Sequence, residues 1–149
     1  LDGFTVRDEY QLKGVFTYAP HQNPNHRRSP TPRPDFVVLD GQQVAAVLDA
    51  KYRDLWENNL PEYMLYQLAV YALLQDSPRH RSVILYPTID ATAVDQVITL
   101  QEPIRGSERA QVVLRPVNLL ALEQLLRLPS DYRTQTRRSE FAKHLAFAS

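Results

Sequence analysis

Cysteine is absent from this sequence of 149 residues. The chain can therefore form neither a disulfide nor a thiolate metal site, and its composition fits the reducing environment of the cytoplasm. No apolar run approaches the roughly 18 residues that a membrane span needs, and no signal peptide is visible at the start. We therefore expect a cytoplasmic protein with no membrane partner.

The net charge is zero, and glycine is scarce. Seventeen basic residues balance 17 acidic ones, so no overall positive field attracts nucleic acid. Any polyanionic partner would have to be held by local patches or through a bound metal. The four glycines cannot form a P-loop, which excludes nucleoside triphosphate binding by that device.

The apolar content is sufficient for one core. Hydrophobic residues make up 44% of the chain and charged residues 23%, as in ordinary globular proteins. The length suits a single domain spanning residues 1–149. Because Met64 is the only methionine, we expect this domain to be the C-terminal fragment of a longer protein.

Strand and turn patterns dominate the first third of the chain. Residues 4–20 are rich in β-branched and aromatic side chains and predict one or two strands. Five prolines make residues 20–34 a loop. Residues 35–39 and 44–51 predict a hairpin around an Asp-Gly turn. Their runs "VVL" and "VAAVL" are apolar on both faces, which is typical of strands in the middle of a covered sheet.

The remaining elements complete an α/β (α+β) pattern. Pro61 begins a helix over residues 61–75 that is apolar almost all round and is therefore expected to be buried. Asn118 is the expected N-cap of an amphipathic helix, and residues 131–148 form a last helix with exposed basic side chains. The strands expected between the first two helices are residues 82–88, 93–100 and 111–117. We expect a central mixed sheet flanked by helices.

Three charged residues stand at the ends of the predicted hairpin strands. Asp35 begins one strand and Asp49 lies near the end of its partner, so their carboxylates can converge at one end of the sheet. Lys51 is two residues beyond Asp49 and points to the same face. A surface ion pair at strand ends is the ordinary alternative for such residues.

Two desolvated carboxylates repel each other unless they share a proton or bind a cation. Hard oxygen ligands without histidine or cysteine favour Mg²⁺, with Mn²⁺ as a substitute. Such a metal would suit phosphate chemistry, because it polarises a phosphoryl oxygen and acidifies a bound water. Lys51 would then hold or activate the attacking water and offset the charge on the phosphorane.

Gln67 and Tyr71 add a polar pair to the apolar helix. Their i, i+4 spacing places them on one face, where a buried amide and phenol need partners. Phosphate oxygens or the water shell of a metal would serve, and so would the protein backbone.

The ordered set "RPD", "DAK" and "QLAVY" resembles the PD-(D/E)XK nuclease superfamily with a QxxxY helix. Four longer segments are similar to the nuclease domain of McrC-type subunits of modification-dependent (5-methylcytosine) restriction systems. They are "VLDAKYRD", "LPEYMLYQLAVYAL", "ILYPT" and "VVLRPVNLLALEQLL". The resemblance extends over roughly residues 35–126. It implies a restriction-endonuclease-like core and a Mg²⁺-dependent DNA endonuclease.

The resemblance also implies roles for individual residues. Asp35 and Asp49 would bind the metal together with the Ala50 carbonyl, and Lys51 would be the catalytic lysine. Gln67 and Tyr71 would orient the substrate phosphate or the metal site. A glutamate that many relatives carry on a helix before the hairpin has no clear counterpart, since the nearest candidate, Glu9, lies in a strand-like segment.

Implied partners are DNA, an AAA+ GTPase that moves it, and a second copy of the chain for double-strand cleavage. Trp56 is expected either to touch DNA or to pack internally. For the arginines of the proline-rich loop, the alternative is a solvated loop. The candidate DNA contacts are Arg27, Arg28, Arg33, Tyr52 and Arg53.

Two other functions remain open from the sequence. One is a non-catalytic module that keeps a nuclease-like fold for DNA or protein contact. The other is a RecB-like repair nuclease of the same fold. The intact lysine favours a working site over the first of these.

Overall fold

A six-stranded mixed sheet forms the centre of the computed structural model, which describes residues 3–75 and 80–148. The strands lie in the order β1-β2-β3-β4-β6-β5. The chain runs through β1 (Phe4–Asp8), β2 (Phe36–Asp40), β3 (Gln43–Ala50), α1 (Glu62–Leu73), β4 (Arg81–Thr88), β5 (Gln96–Gln101), β6 (Glu108–Asn118), α2 (Leu119–Arg127) and α3 (Tyr132–Phe147). The α/β fold with helices flanking a mixed sheet is thus confirmed.

The sheet changes from antiparallel to parallel pairing at β3. Strands β1, β2 and β3 are antiparallel neighbours, whereas β3, β4 and β6 run parallel and β5 is antiparallel to β6. A parallel neighbour requires a crossover, and the segment containing α1 provides it between β3 and β4. The end of β3 therefore lies beside both the start of β2 and the crossover helix.

The predicted hairpin is formed by β2 and β3. Asp40 pairs with Gln43 across a two-residue turn, and Gly41 has a φ of +59°, which glycine adopts without steric cost. The register shifts between Val38 and Leu39, where a bulge adds one residue to β3. Beyond the bulge, Phe36 pairs with Leu48, so the start of β2 faces the end of β3.

Both faces of the central strands are covered. Alternate side chains of β2, β3, β4 and β6 pack against α1 on one face, and the intervening ones pack against the end of α3 on the other. On the α1 face the core includes Val37, Val47, Leu68, Ile84 and Leu114, and on the α3 face it includes Val38, Leu48, Val83, Val113 and Ala146. This agrees with strands that are apolar on both sides.

The prediction that α1 is buried or nearly buried holds for one face of the helix only. Leu68 and Tyr71 are buried, but Tyr63 and Tyr66 are 66% and 61% exposed. The helix packs mainly against β3, β4 and β6 on one face of the sheet, and its outer side is exposed. Aromatic side chains therefore remain on the surface near the start of α1.

Residues 4–20 contain one strand in the structure, β1, rather than two. The strand β1 lies at the edge of the sheet, and residues 9–20 form no second strand beside it. They contact the proline-rich loop instead, through a 2.9 Å hydrogen bond from the Leu12 amide to the Pro32 carbonyl. The prediction that residues 20–34 form a loop is confirmed.

The two C-terminal helices begin at side-chain caps. Asn118 accepts a hydrogen bond from the Ala121 amide, as predicted, and Asp131 accepts one from the Thr134 amide. Arg138 was expected to be exposed with its basic neighbours, but it donates to carbonyls at the end of α2. Within residues 3–75 and 80–148, no helix has the length and apolar character to cross a membrane.

Candidate functional site

Asp49 is a buried carboxylate on β3. The residue is 4% exposed and lies beside Ile84 of the parallel strand β4. Since side chains alternate along a strand, Asp49 faces the same side as Val47, which is the side that α1 covers. Burial raises the pKa of the Asp49 carboxyl. A hydrogen bond with Lys51 opposes this shift, and the charge of Asp35 adds to it.

Asp35 directly precedes β2 and contacts the end of β3. Its Oδ2 atom accepts a 2.8 Å hydrogen bond from the Ala50 amide. Its carboxyl also raises the pKa of Asp49 through both its charge and a side-chain hydrogen bond. The structure therefore brings Asp35 and Asp49 together at one end of the sheet, where the hairpin geometry places them.

Lys51 joins the two carboxylates from the residue after β3. Its amide donates to the Leu85 carbonyl over 2.9 Å, which continues the pairing with β4 and fixes the backbone. Its Nζ atom lies 2.5 Å from Asp49 Oδ2, with 26% of the side chain exposed. Burial would lower the pKa of Lys51, but the hydrogen bond and charge of Asp49, with the charge of Asp35, raise it overall.

Gln67 and Tyr71 form a hydrogen-bonded pair on α1. The Gln67 Nε2 atom donates to the Tyr71 hydroxyl over 2.7 Å. The ring of Tyr71 is buried, and burial raises its pKa, with further contributions from the charges of Asp49 and Asp35. The pair therefore lies within the electrostatic field of the charged residues. Because Tyr71 accepts from Gln67, its own hydroxyl proton remains to be donated.

The oxygen donors at this sheet end suit a hard divalent cation. In the part of the chain that the structure describes, no group of three or more His, Cys, Asp or Glu side chains converges on a potential metal position. The donor set would consist of Asp35 and Asp49, completed by the Ala50 carbonyl and water. Mg²⁺ is commonly held by one or two carboxylates with several waters retained. The residues present therefore fit Mg²⁺ or Mn²⁺, and a cation would relieve the repulsion between the carboxylates.

A cleft of ≈ 470 Å³ opens beside these residues. Its lining includes Asp35, Ala50, Lys51 and Tyr52, all of which the sequence suggested. It also includes Asp8, Glu9 and Phe36, which the sequence did not assign to the site. These come together because β1 pairs with β2 in a register that sets Asp8 opposite Phe36.

Glu9 lies at the cleft but follows a strand rather than a helix. Its amide donates to the Asp35 carbonyl over 2.9 Å, and its φ of +44° is uncommon for a residue other than glycine. Its carboxylate is 3.9 Å from the Arg33 guanidinium. The structure thus places Glu9 next to Asp35 and pairs its side chain with an arginine of the loop.

The candidate DNA contacts lie at different distances from the site. Tyr52 lines the cleft, and Arg53 is held by a 2.8 Å hydrogen bond from its guanidinium to Asn58 Oδ1. Arg27 and Arg28 are exposed on the loop, and neither is among the residues that line the cleft. Trp56 packs against the core on the α1 face, which agrees with its expected packing role.

A second groove, of ≈ 530 Å³, lies between α2 and α3. It is lined mainly by apolar side chains such as Leu125, Leu128 and Phe141, and none of the predicted site residues borders it. The carboxylates, the lysine and the polar pair on α1 thus favour the end of β3, rather than this groove, as the place for chemistry.

No protein-family model matches the sequence, and no curated protein matches it. Among solved structures, the fold is similar to a chain of an assembly from Thermococcus gammatolerans described as McrB AAA+ hexamers with bound McrC. The similarity has a TM-score of 0.47 and 22% sequence identity, and it covers 78% of the present chain. The present chain spans about a quarter (24%) of that chain.

Proposed function

We propose that this domain is a Mg²⁺-dependent endonuclease that hydrolyses phosphodiester bonds in DNA. The observation that carries the proposal is the meeting of Asp35, Asp49 and Lys51 at one end of the sheet. The hydrogen-bonded pair of Gln67 and Tyr71 on the adjacent helix supports it. The order and spacing of these residues in the sequence support it independently.

In the proposed reaction, a water oxygen forms a bond to phosphorus while the bond from phosphorus to one ester oxygen breaks. The water loses its proton to solvent, and the departing oxygen gains one. Asp35, Asp49 and the Ala50 carbonyl would hold the cation, which when bound would supply polarisation of a phosphoryl oxygen and a more acidic water. Lys51, which is paired with Asp49, offsets the negative charge that develops on the phosphorane.

Gln67 and Tyr71 orient the substrate in this scheme. The Gln67 amide fixes the Tyr71 hydroxyl by donating to it, so that the hydroxyl proton can be directed to a phosphate oxygen or to water. A donor fixed before the reaction needs little reorganisation as charge develops. This role explains a polar pair on an otherwise apolar helix.

We further propose that the domain acts as the nuclease subunit of a McrBC-like restriction complex, with an AAA+ GTPase as its partner. The sequence resemblance over roughly residues 35–126 supports this setting. One site of this kind cuts one strand, so double-strand cleavage would require two copies of the chain.

Nicking of supercoiled plasmid tests the nuclease proposal. We expect the chain to nick plasmid in Mn²⁺ or Mg²⁺, to be inactive with chelator, and to lose activity in Lys51→Ala. Lys143→Ala is the matched control, because it removes an exposed lysine on α3 and should retain activity. Nicking that is equal in Lys51→Ala and Lys143→Ala would refute the assignment of Lys51. If the chain alone is inactive, the same comparison is made after addition of the GTPase partner and GTP.

A further inference from the structure

Two aromatic rings line the cleft beside the charged residues. Phe36 follows Asp35 and is 37% exposed, and Tyr52 follows Lys51 and is fully exposed, at 103%. A large ring that stands wholly in solvent gains nothing from packing within the chain. Tyrosine is enriched where proteins bind flat or apolar partners, because its ring offers a large contact area with little loss of side-chain freedom.

The charge of the cleft limits what can enter it. Asp8, Glu9 and Asp35 contribute carboxylates to the lining, and Lys51 is the one basic side chain among the lining residues. The Glu9 carboxylate lies 3.9 Å from the Arg33 guanidinium and Asp35 is a proposed metal ligand, so Asp8 is the carboxylate that would repel a phosphate away from the metal position. A neutral, flat group would meet no such repulsion and could contact the aromatic rings. The cleft therefore suits a base better than it suits the DNA backbone.

We propose that the cleft receives an unpaired base of the strand being cut, stacked on Tyr52, so that the preferred substrate is DNA with unpaired nucleotides at the cut. This inference rests on the proposed nuclease function. A volume of ≈ 470 Å³ lies within the usual range of small-molecule sites.

Tyr52 and Lys51 both line the cleft, so a base on the Tyr52 ring would belong to a nucleotide near the phosphate at Lys51. In an intact duplex that base is paired and stacked on its neighbours, so it must leave the stack or come from a single strand. A base held in this way would fix the register of the backbone across the two carboxylates.

Binding of oligonucleotides that carry 2-aminopurine tests this inference. In a series of short DNAs, 2-aminopurine replaces the base at one position after another. Each DNA is added as a single strand or as a duplex in buffer containing Ca²⁺. Fluorescence quenching reports stacking, and titration gives affinity. The variants are Tyr52→Ala, Tyr52→Phe, which keeps the ring, and Tyr132→Ala. The last removes a tyrosine that is 84% exposed at the start of α3 and serves as the matched control.

We expect the single strand to bind more tightly than the duplex, with quenching at one position. Tyr52→Ala should weaken single-strand binding about tenfold and abolish the quenching, whereas Tyr52→Phe and Tyr132→Ala should retain both. Equal binding by wild type and Tyr52→Ala, or equal binding of both DNA forms, would overturn the inference. Tyr52-dependent quenching without plasmid nicking, even after addition of the GTPase partner and GTP, would reject the nuclease and keep the base site. Nicking without Tyr52-dependent binding would do the reverse.

Discussion

The Oδ2 atom of Asp35 accepts a 2.8 Å hydrogen bond from the backbone amide of Ala50. This bond joins the residue before β2 to the last residue of β3. Ala50 stands between Asp49 and Lys51. The hydrogen bond therefore holds the side chains of Asp35, Asp49 and Lys51 close together. The position of the Asp35 side chain therefore depends on the end of β3 as well as on β2.

Asp49→Asn should stabilise the metal-free fold at neutral pH. The raised pKa of Asp49 means that the folded state favours its neutral carboxyl. The stability that the Asp49 carboxyl contributes is therefore fully present below its ordinary pKa of 3.8 and is lost as pH rises through the raised pKa. Asparagine has no such titration. Thermal unfolding in chelator should show an advantage of the variant that grows from acidic to neutral pH, and a constant difference over this range would contradict the prediction.

Addition of Mn²⁺ should make the wild type more stable than Asp49→Asn. A ligand that binds the folded state alone stabilises it by about 2.7 kcal/mol at a concentration 100 times its dissociation constant. The wild-type melting temperature should therefore rise with Mn²⁺, while that of Asp49→Asn should change little. Lys143→Ala, remote from the carboxylates, should respond as wild type does. An equal rise in all three proteins would show that the metal binds elsewhere.

Gln67→Leu and Tyr71→Phe should impair cleavage through one shared interaction. Each variant removes the 2.7 Å bond between the two side chains, and loss of positioning can reduce a rate on the order of a hundredfold. The double variant should be no slower than either single variant, because residues that act as a unit are not additive. Plasmid nicking rates for the four proteins measure this. If the rate losses of the two single variants multiply in the double variant, Gln67 and Tyr71 do not act together.

Arg115→Met should severely destabilise the fold. The Arg115 side chain is 1% exposed, forms a bidentate ion pair with Asp95, and donates to the carbonyls of His144, Leu145 and Ala148. Removing one partner of a buried pair costs about 3–5 kcal/mol. Denaturant unfolding should show this loss, whereas Arg133→Met, at an exposed position on α3, should unfold like wild type. A small effect of Arg115→Met would mean that α3 docks without this contact.

The hairpin and the convergence of its charges follow from local sequence. The Asp-Gly turn and the two apolar runs bring the start of β2 beside the end of β3, so Asp35, Asp49 and Lys51 could be grouped from the sequence. The bulge between Val38 and Leu39, which sets their register, could not be read from that pattern. The face of Gln67 and Tyr71 could likewise be predicted from helical spacing.

Features that depend on contacts between residues far apart in the sequence could not be predicted from local patterns. Asp8 and Glu9 reach the cleft because β1 pairs with β2 across the long proline-rich loop, and no periodicity in the sequence specifies that partner. Arg115 lies in an apolar strand, where its burial depends on Asp95 and on the end of α3. The exposure of Tyr63 follows from a single helical layer on that face, which an apolar pattern alone does not reveal.

Direct measurement of Mn²⁺ binding tests the central claim, because it does not depend on a partner or on DNA. Titration of the chain with Mn²⁺, followed by electron paramagnetic resonance, reports free and bound metal. The account predicts one bound Mn²⁺ in wild type and in Lys143→Ala, and loss of that binding in Asp49→Asn. Mn²⁺ affinity that is unchanged in Asp49→Asn would contradict a metal site built on Asp35 and Asp49.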